Sequence, residues 1–135
     1  TLDAEVRVFI PQEKPIRVTE EVDYKQHTRV VDITDGYLLK PGELVMGITR
    51  EAITLPDDVC GWLQSRSRFA RIGLMSHITA PFVAPGVSNR SVLEIFNAGP
   101  ETLELYPGVR VCHIILQRCE GEAHYEGRFK DQGLR

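Results

Sequence analysis

Turn-forming residues recur along this chain at intervals that suit short strands. Ile10-Pro11, Asp35-Gly36, Lys40-Pro41-Gly42, Leu55-Pro56-Asp57-Asp58, Ala84-Pro85-Gly86, Ala98-Gly99-Pro100 and Tyr106-Pro107-Gly108 combine residues that fix φ, tolerate positive φ or bond their own backbone. Such spacing is that of a sandwich or barrel. The intervening runs are rich in β-branched and aromatic residues: Val6 to Ile10, Leu44 to Ile48, Val59 to Leu63, Met75 to Thr79, Ser91 to Phe96, Thr102 to Tyr106 and Val109 to Leu116. An all-β domain is predicted.

One stretch departs from the pattern. From Ser65 to Gly73 the order is Ser-Arg-Ser-Arg-Phe-Ala-Arg-Ile-Gly, with Ser as an N-cap, good helix formers after it and Gly where a C′ residue sits. It predicts one short helix, of two turns at most. The chain has 135 residues, 42% hydrophobic and 26% charged, which suits a single domain over 1–135 and excludes disorder, collagen and coiled coil. No apolar run approaches the roughly 18 residues that span a bilayer, and Thr1-Leu2-Asp3-Ala4 does not read as a signal peptide. A soluble, cytoplasmic protein with no membrane partner is therefore expected. Cys60, Cys112 and Cys119 are odd in number and form no C-x-x-C pair, as suits reduced thiols. The net charge of -3 argues against nucleic acid as a partner. The polar segment from Glu120 to Arg135 is expected to be mobile in a monomer.

Charge is distributed unevenly. No Asp or Glu occurs from Val59 to Leu93, yet Arg66, Arg68, Arg71 and Arg90 all fall there. Clustered guanidiniums beside Ser hydroxyls and a helix N-terminus form a natural polyphosphate site; a solvated basic face paired with carboxylates elsewhere is the other reading. The first carboxylate after this stretch is Glu94. With a two-residue period it shares a face with Val92 and Phe96, opposite Leu93 and Ile95. Apolar surroundings on both faces suggest a buried strand, where a desolvated carboxylate can exchange a proton near neutral pH. A structural Glu at a sheet edge or in an Arg ion pair is the alternative. Cys112-His113 and Cys119 lack the spacing of a zinc deaminase motif, and His27, His77 and His124 are scattered, so no metal site is expected. Walker A, G-x-S-x-G and G-x-G-x-x-G signatures are absent.

Several segments in order resemble the dCTP deaminase branch of the dCTP deaminase/dUTPase family: Leu55 to Val59, Ser65 to Leu74, His77-Ile78-Thr79-Ala80, Val92 to Asn97, Tyr106-Pro107-Gly108 and Tyr125 to Gln132. The resemblance implies a distorted jelly roll of the dUTPase-like β-clip type, assembled as a homotrimer with active sites at subunit interfaces and no zinc. It implies that Glu94 shuttles protons, that Ser67 and Arg71 hold the attacking water and the cytosine edge, and that Arg66 contacts phosphate; Arg68, close beside it, is a further candidate for the triphosphate. Thr79 and Ala80 join the substrate-binding set, while Tyr125, Arg128 and Gln132 match a tail, about 120–135, that closes over base and triphosphate. Mg2+ would arrive on the nucleoside triphosphate.

The same comparison shows departures. Arg128 replaces the more usual Lys, and Arg68 the second Ser of the Arg-Ser-Ser motif. Around the sugar, Ala84-Pro85-Gly86-Val87-Ser88-Asn89 stands for the family's Asp-x-Gly element, and Phe82 for a basic residue. The family's N-terminal segment is expected to be missing. The implied function is zinc-independent deamination of dCTP to dUTP and ammonia. A dUTPase-like or bifunctional pyrophosphohydrolase, disfavoured by Ala84, and a non-catalytic nucleotide-binding trimer are the alternatives.

Overall fold

The computed structural model describes all 135 residues. Its strands are β1 (Leu2–Phe9), β2 (Thr28–Asp32), β3 (Tyr37–Leu39), β4 (Leu44–Thr54), β5 (Val59–Ser65), β6 (Leu74–Met75), β7 (Phe82–Val83), β8 (Ser88–Asn97), β9 (Leu103–Leu105) and β10 (Cys112–Arg118). A single helical turn, α1 (Ser67–Ala70), and a 3₁₀ turn at Tyr24–His27 complete it. All pairings are antiparallel, in sheets of order β2-β1-β4-β8-β6, β10-β5-β7 and β3-β9. The predicted β-rich class with one short helix is observed.

Alternation builds the core. On the inner face of the five-stranded sheet, Val6, Val45, Leu93 and Ile95 are fully buried and meet Leu63 of β5 and Val83 of β7. Its outer face carries a cross-strand row in which Arg7 of β1 opposes Met46 of β4, and Met46 opposes Glu94 of β8. β8 is buried on one face only: Val92, Glu94 and Phe96 are half-buried, which corrects the expectation of a fully enclosed strand.

Met75 to Thr79 does not continue as a strand. β6 stops at Met75, because buried Ser76 turns away to donate through both N–H and Oγ to Ser65 Oγ, each at 2.9 Å. That bond also removes Ser65 as a helix cap. Arg66 is the N-cap of α1 and makes no side-chain capping bond, while Ser67 is already inside the helix. One turn has almost no macrodipole, so α1 adds little to an anion site beyond its side chains. β2, β3 and β7, which strand propensity alone did not pick out, are short and held by their partners.

Gly73 ends the turn after α1 with φ of +89°, and an added Cβ would stand 2.4 Å from Gly99 N. Gly73→Ala is therefore expected to cost more than the roughly 1–2 kcal/mol of left-handed backbone strain, as read by urea denaturation.

The segment 120–135, expected to be mobile, is folded back over the outer face. Asn89 Nδ2 donates to Phe129 O at 2.9 Å and Lys130 O at 3.2 Å, Gln132 Nε2 donates to Arg90 O at 2.8 Å, and Arg7 Nε donates to Leu134 O at 2.5 Å. The tail is thus held chiefly by its backbone carbonyls, which accept from side chains of the domain, with Gln132 donating in return.

Candidate active site

The folded-back tail, the loop after β6 and the outer sheet face enclose a cavity of about 640 Å3, a size that holds a small organic ligand. Phe9, Met46 and Val92 supply apolar floor from three adjacent strands, while Phe82, Ala84 and Val87 form one wall. Phe82 tilts against Trp62 with ring centroids 5.6 Å apart. Tyr125, Phe129 and Gln132 come from the tail. Burial pushes the Tyr24 hydroxyl, also in the wall, above its ordinary range, with Arg7 opposing the shift.

Glu94 enters this cavity from the middle of β8. Because β6 stops opposite Phe96, the Glu94 N–H has no strand partner and donates instead to His77 Nδ1 at 3.3 Å. His77 Nε2 lies 2.8 Å from Ala80 O, so both bonds are satisfied by the tautomer with its proton on Nε2. Glu94 Oε2 accepts from Thr79 N–H at 3.1 Å and, more weakly, from Thr79 Oγ1 at 3.5 Å. Oε1 has no protein partner and is free to accept a proton from a bound molecule. Glu94 forms no ion pair with an Arg. A His ring thus fixes the backbone of the strand while a backbone amide fixes one carboxylate oxygen.

Of the residues singled out from the sequence, Glu94, Thr79, Ala80, Tyr125 and Gln132 line this cavity, together with the sugar-site departures Phe82, Ala84, Val87 and Asn89. Ser67, Arg66, Arg68 and Arg71 do not line it. Ser67, Arg68 and Arg71 are exposed on and after α1. Arg66 stacks near Phe69, 6.0 Å from the ring centroid, and donates to Arg110 O at 2.9 Å. None of these three guanidiniums pairs with a carboxylate, whereas Arg90 pairs with Asp3, as a basic face paired with carboxylates elsewhere would. Arg128 also faces away from the cavity and donates to Glu20 O at 3.0 Å. Within one chain, the carboxylate and the basic group are separate.

Sequence reasoning gave His77 no role and placed it among scattered histidines, although it opens His77-Ile78-Thr79-Ala80, one of the segments that carry the family resemblance. No three His, Cys, Asp or Glu side chains gather as a metal-binding cluster. No helix is long and apolar enough to cross a membrane.

The chain and its fold have relatives among known proteins. A family model described as dCTP deaminase-like matches residues 1–119. A dCTP deaminase of Shewanella amazonensis is 40% identical over 110 residues, covering 76% of this chain and 57% of its own length. One from Tolumonas auensis is 45% identical over 90 residues, covering 67% and 47%. The chain thus spans about half the length of these curated relatives. Among solved structures, the 2'-deoxycytidine 5'-triphosphate deaminase of Agrobacterium tumefaciens superposes with a TM-score of 0.69 at 18% identity, over 88% of this chain and 36% of that one. A dUTPase from EIAV superposes with a TM-score of 0.56 at 16% identity, over 68% of this chain and 75% of that one. These neighbours establish the jelly-roll type of the β-fold, and the family match over most of its length makes this chain a member of the dCTP deaminase-like family.

Proposed function

We propose that this domain deaminates a cytosine deoxynucleotide, converting dCTP and water to dUTP and ammonia. The carrying observation is the Glu94 carboxylate, pinned by Thr79 N–H through Oε2 with Oε1 unpartnered, on a residue that lines a largely apolar cavity. In this reading the cytosine ring enters beside Glu94. Oε1 takes a proton from water as its oxygen bonds to C4, delivers it to N3, and a second proton from the same oxygen reaches the amine before the C4–N4 bond breaks. Thr79 N–H keeps the carboxylate aimed through each transfer, and the apolar walls exclude competing water.

Ser67 and Arg71 would orient that water and the base edge. Since they lie outside the cavity of their own chain, they would come from a neighbouring copy in a homotrimer. Exposed Ile72, Phe82, Ile115 and Leu116 are apolar side chains that such an assembly would cover. Arg66, Arg68 and Arg128 would bind the triphosphate, which brings its own Mg2+. The reading places the protein in the cytoplasm, where Cys60, Cys112 and Cys119 remain thiols.

Incubation with Mg2+ and dCTP, CTP, dCMP or dUTP, followed by chromatography, tests the reaction. dUTP from dCTP is expected. Pyrophosphate with a monophosphate selects hydrolysis, and binding without product selects a nucleotide-binding scaffold. Light scattering is expected to give three times the mass of the monomer; a stable monomer at micromolar concentration would remove the shared-site account.

A further inference from the structure

The outer sheet face carries a cation that the proposed reaction does not use. Arg7 is 8% exposed and stands two strands from Glu94 in the same cross-strand row. Its partners are uncharged: Leu134 O at 2.5 Å, Thr28 O at 3.1 Å, Thr28 Oγ1 at 3.0 Å, Lys25 O at 3.3 Å, and the Tyr24 ring with its centroid 5.9 Å away. A buried cation is tolerated only when its hydrogens are taken up, so each acceptor matters.

Thr28 and Lys25 are on the neighbouring strand and the turn that leads into it. Leu134, by contrast, is 127 residues away along the chain. Its side chain, 4% exposed, packs with Met46 and Ile48, bordered by Tyr24 and Val92, in a small cluster apart from the main core. Tyr24, Met46 and Val92 also line the cavity. The same stretch of tail presents Phe129 and Gln132 to the cavity.

We propose that Arg7 is a positioning residue: with Leu134 it forms a latch that holds the tail over the cavity before any nucleotide arrives. The consequence for binding rests on the deamination reading, but the latch itself does not. A tail already fixed by the chain's own guanidinium need not be ordered at the moment of binding, which lowers the cost of the encounter. Arg7 touches no reacting atom. Loosening the latch therefore weakens nucleotide capture and leaves the chemical step intact.

The test uses the whole chain with trypsin in the absence of nucleotide, following cleavage after Arg128 and Lys130. Arg7→Met is expected to speed that cleavage by about tenfold or more, the scale of losing one hydrogen bond to a charged group. Leu134→Asp, which keeps the backbone carbonyl but sets a carboxylate among Met46 and Ile48, is expected to speed it at least as much. The double variant is expected to be cleaved no faster than the more open single one, because both changes release one latch. In turnover assays the KM for dCTP should rise by about tenfold with kcat held within about twofold, since uniform binding has been lost. Arg7→Lys should restore only part of the protection, its ammonium being unable to span the spread of carbonyls. Wild-type resistance to trypsin in Leu134→Asp, independent effects in the double variant, or a fall in kcat at unchanged KM would each overturn the proposal. Should Arg7→Met fail to fold, Leu134→Asp carries the test. Accelerated cleavage in a protein whose wild type turns over no nucleotide supports the latch while removing the deamination reading.

Discussion

Glu94→Gln is expected to fold, to bind dCTP almost as the native chain does, and to turn it over slower by about 10²- to 10⁴-fold, the share of catalysis that general acid–base transfer supplies. Gln keeps the shape of Glu and offers a carbonyl to Thr79 N–H, so the local geometry survives. Its amide cannot carry the proton from water to N3. Glu94 forms no ion pair, so the substitution strands no Arg and should change thermal stability little. Stability, binding and turnover measured on one preparation separate the accounts. A variant that deaminates at near native rate ends the general-base assignment, and one that unfolds restores Glu94 to a structural role.

A mixture of two inactive variants should regain activity. If Glu94 of one copy meets Arg71 of the next around a closed three-fold ring, Glu94→Gln and Arg71→Ala each disable every site of their own trimers. Co-refolded at equal amounts and assembled at random, a site is intact when one subunit keeps its Glu and the next its Arg, a chance of about one in four. Recovery to roughly a quarter of native turnover is expected, read against each variant refolded alone. No recovery would mean that both groups must come from one chain, contrary to the separation seen here between the cavity and α1.

Local periodicity made the two faces of β8 legible. Leu93 and Ile95 went to the core and Glu94 to the other side because neighbouring side chains in a strand point oppositely whatever the fold. How deeply the Glu94 face would be covered was not legible, since that depends on the tail, a segment that pairs with nothing near it in sequence. The Arg-rich stretch was equally plain as composition, and its distance from Glu94 within one chain was not, because no local rule reports which surfaces are adjacent. Ser65 illustrates a subtler miss. Its hydroxyl has the chemistry of an N-cap, yet Ser76, eleven residues on, competes for it and wins. Arg7 was passed over for a related reason. Between Val6 and Val8 it reads as an ordinary solvent-facing position of an alternating strand, and the cover that buries it arrives from the far end of the sequence.

That last connection also bears on how the molecule is made. β1 is synthesised before the segments it needs: it bonds β4, Leu2 N–H reaches Val109 O, and Arg7 waits for Leu134. Pairings of such long range close slowly, because loop entropy is spent before contacts return it. During synthesis the guanidinium remains hydrated and the ligand chamber has no roof. The chamber is finished only once a segment made 127 residues after Arg7 has folded back, so a chain still short of that segment cannot capture its ligand and fold around it.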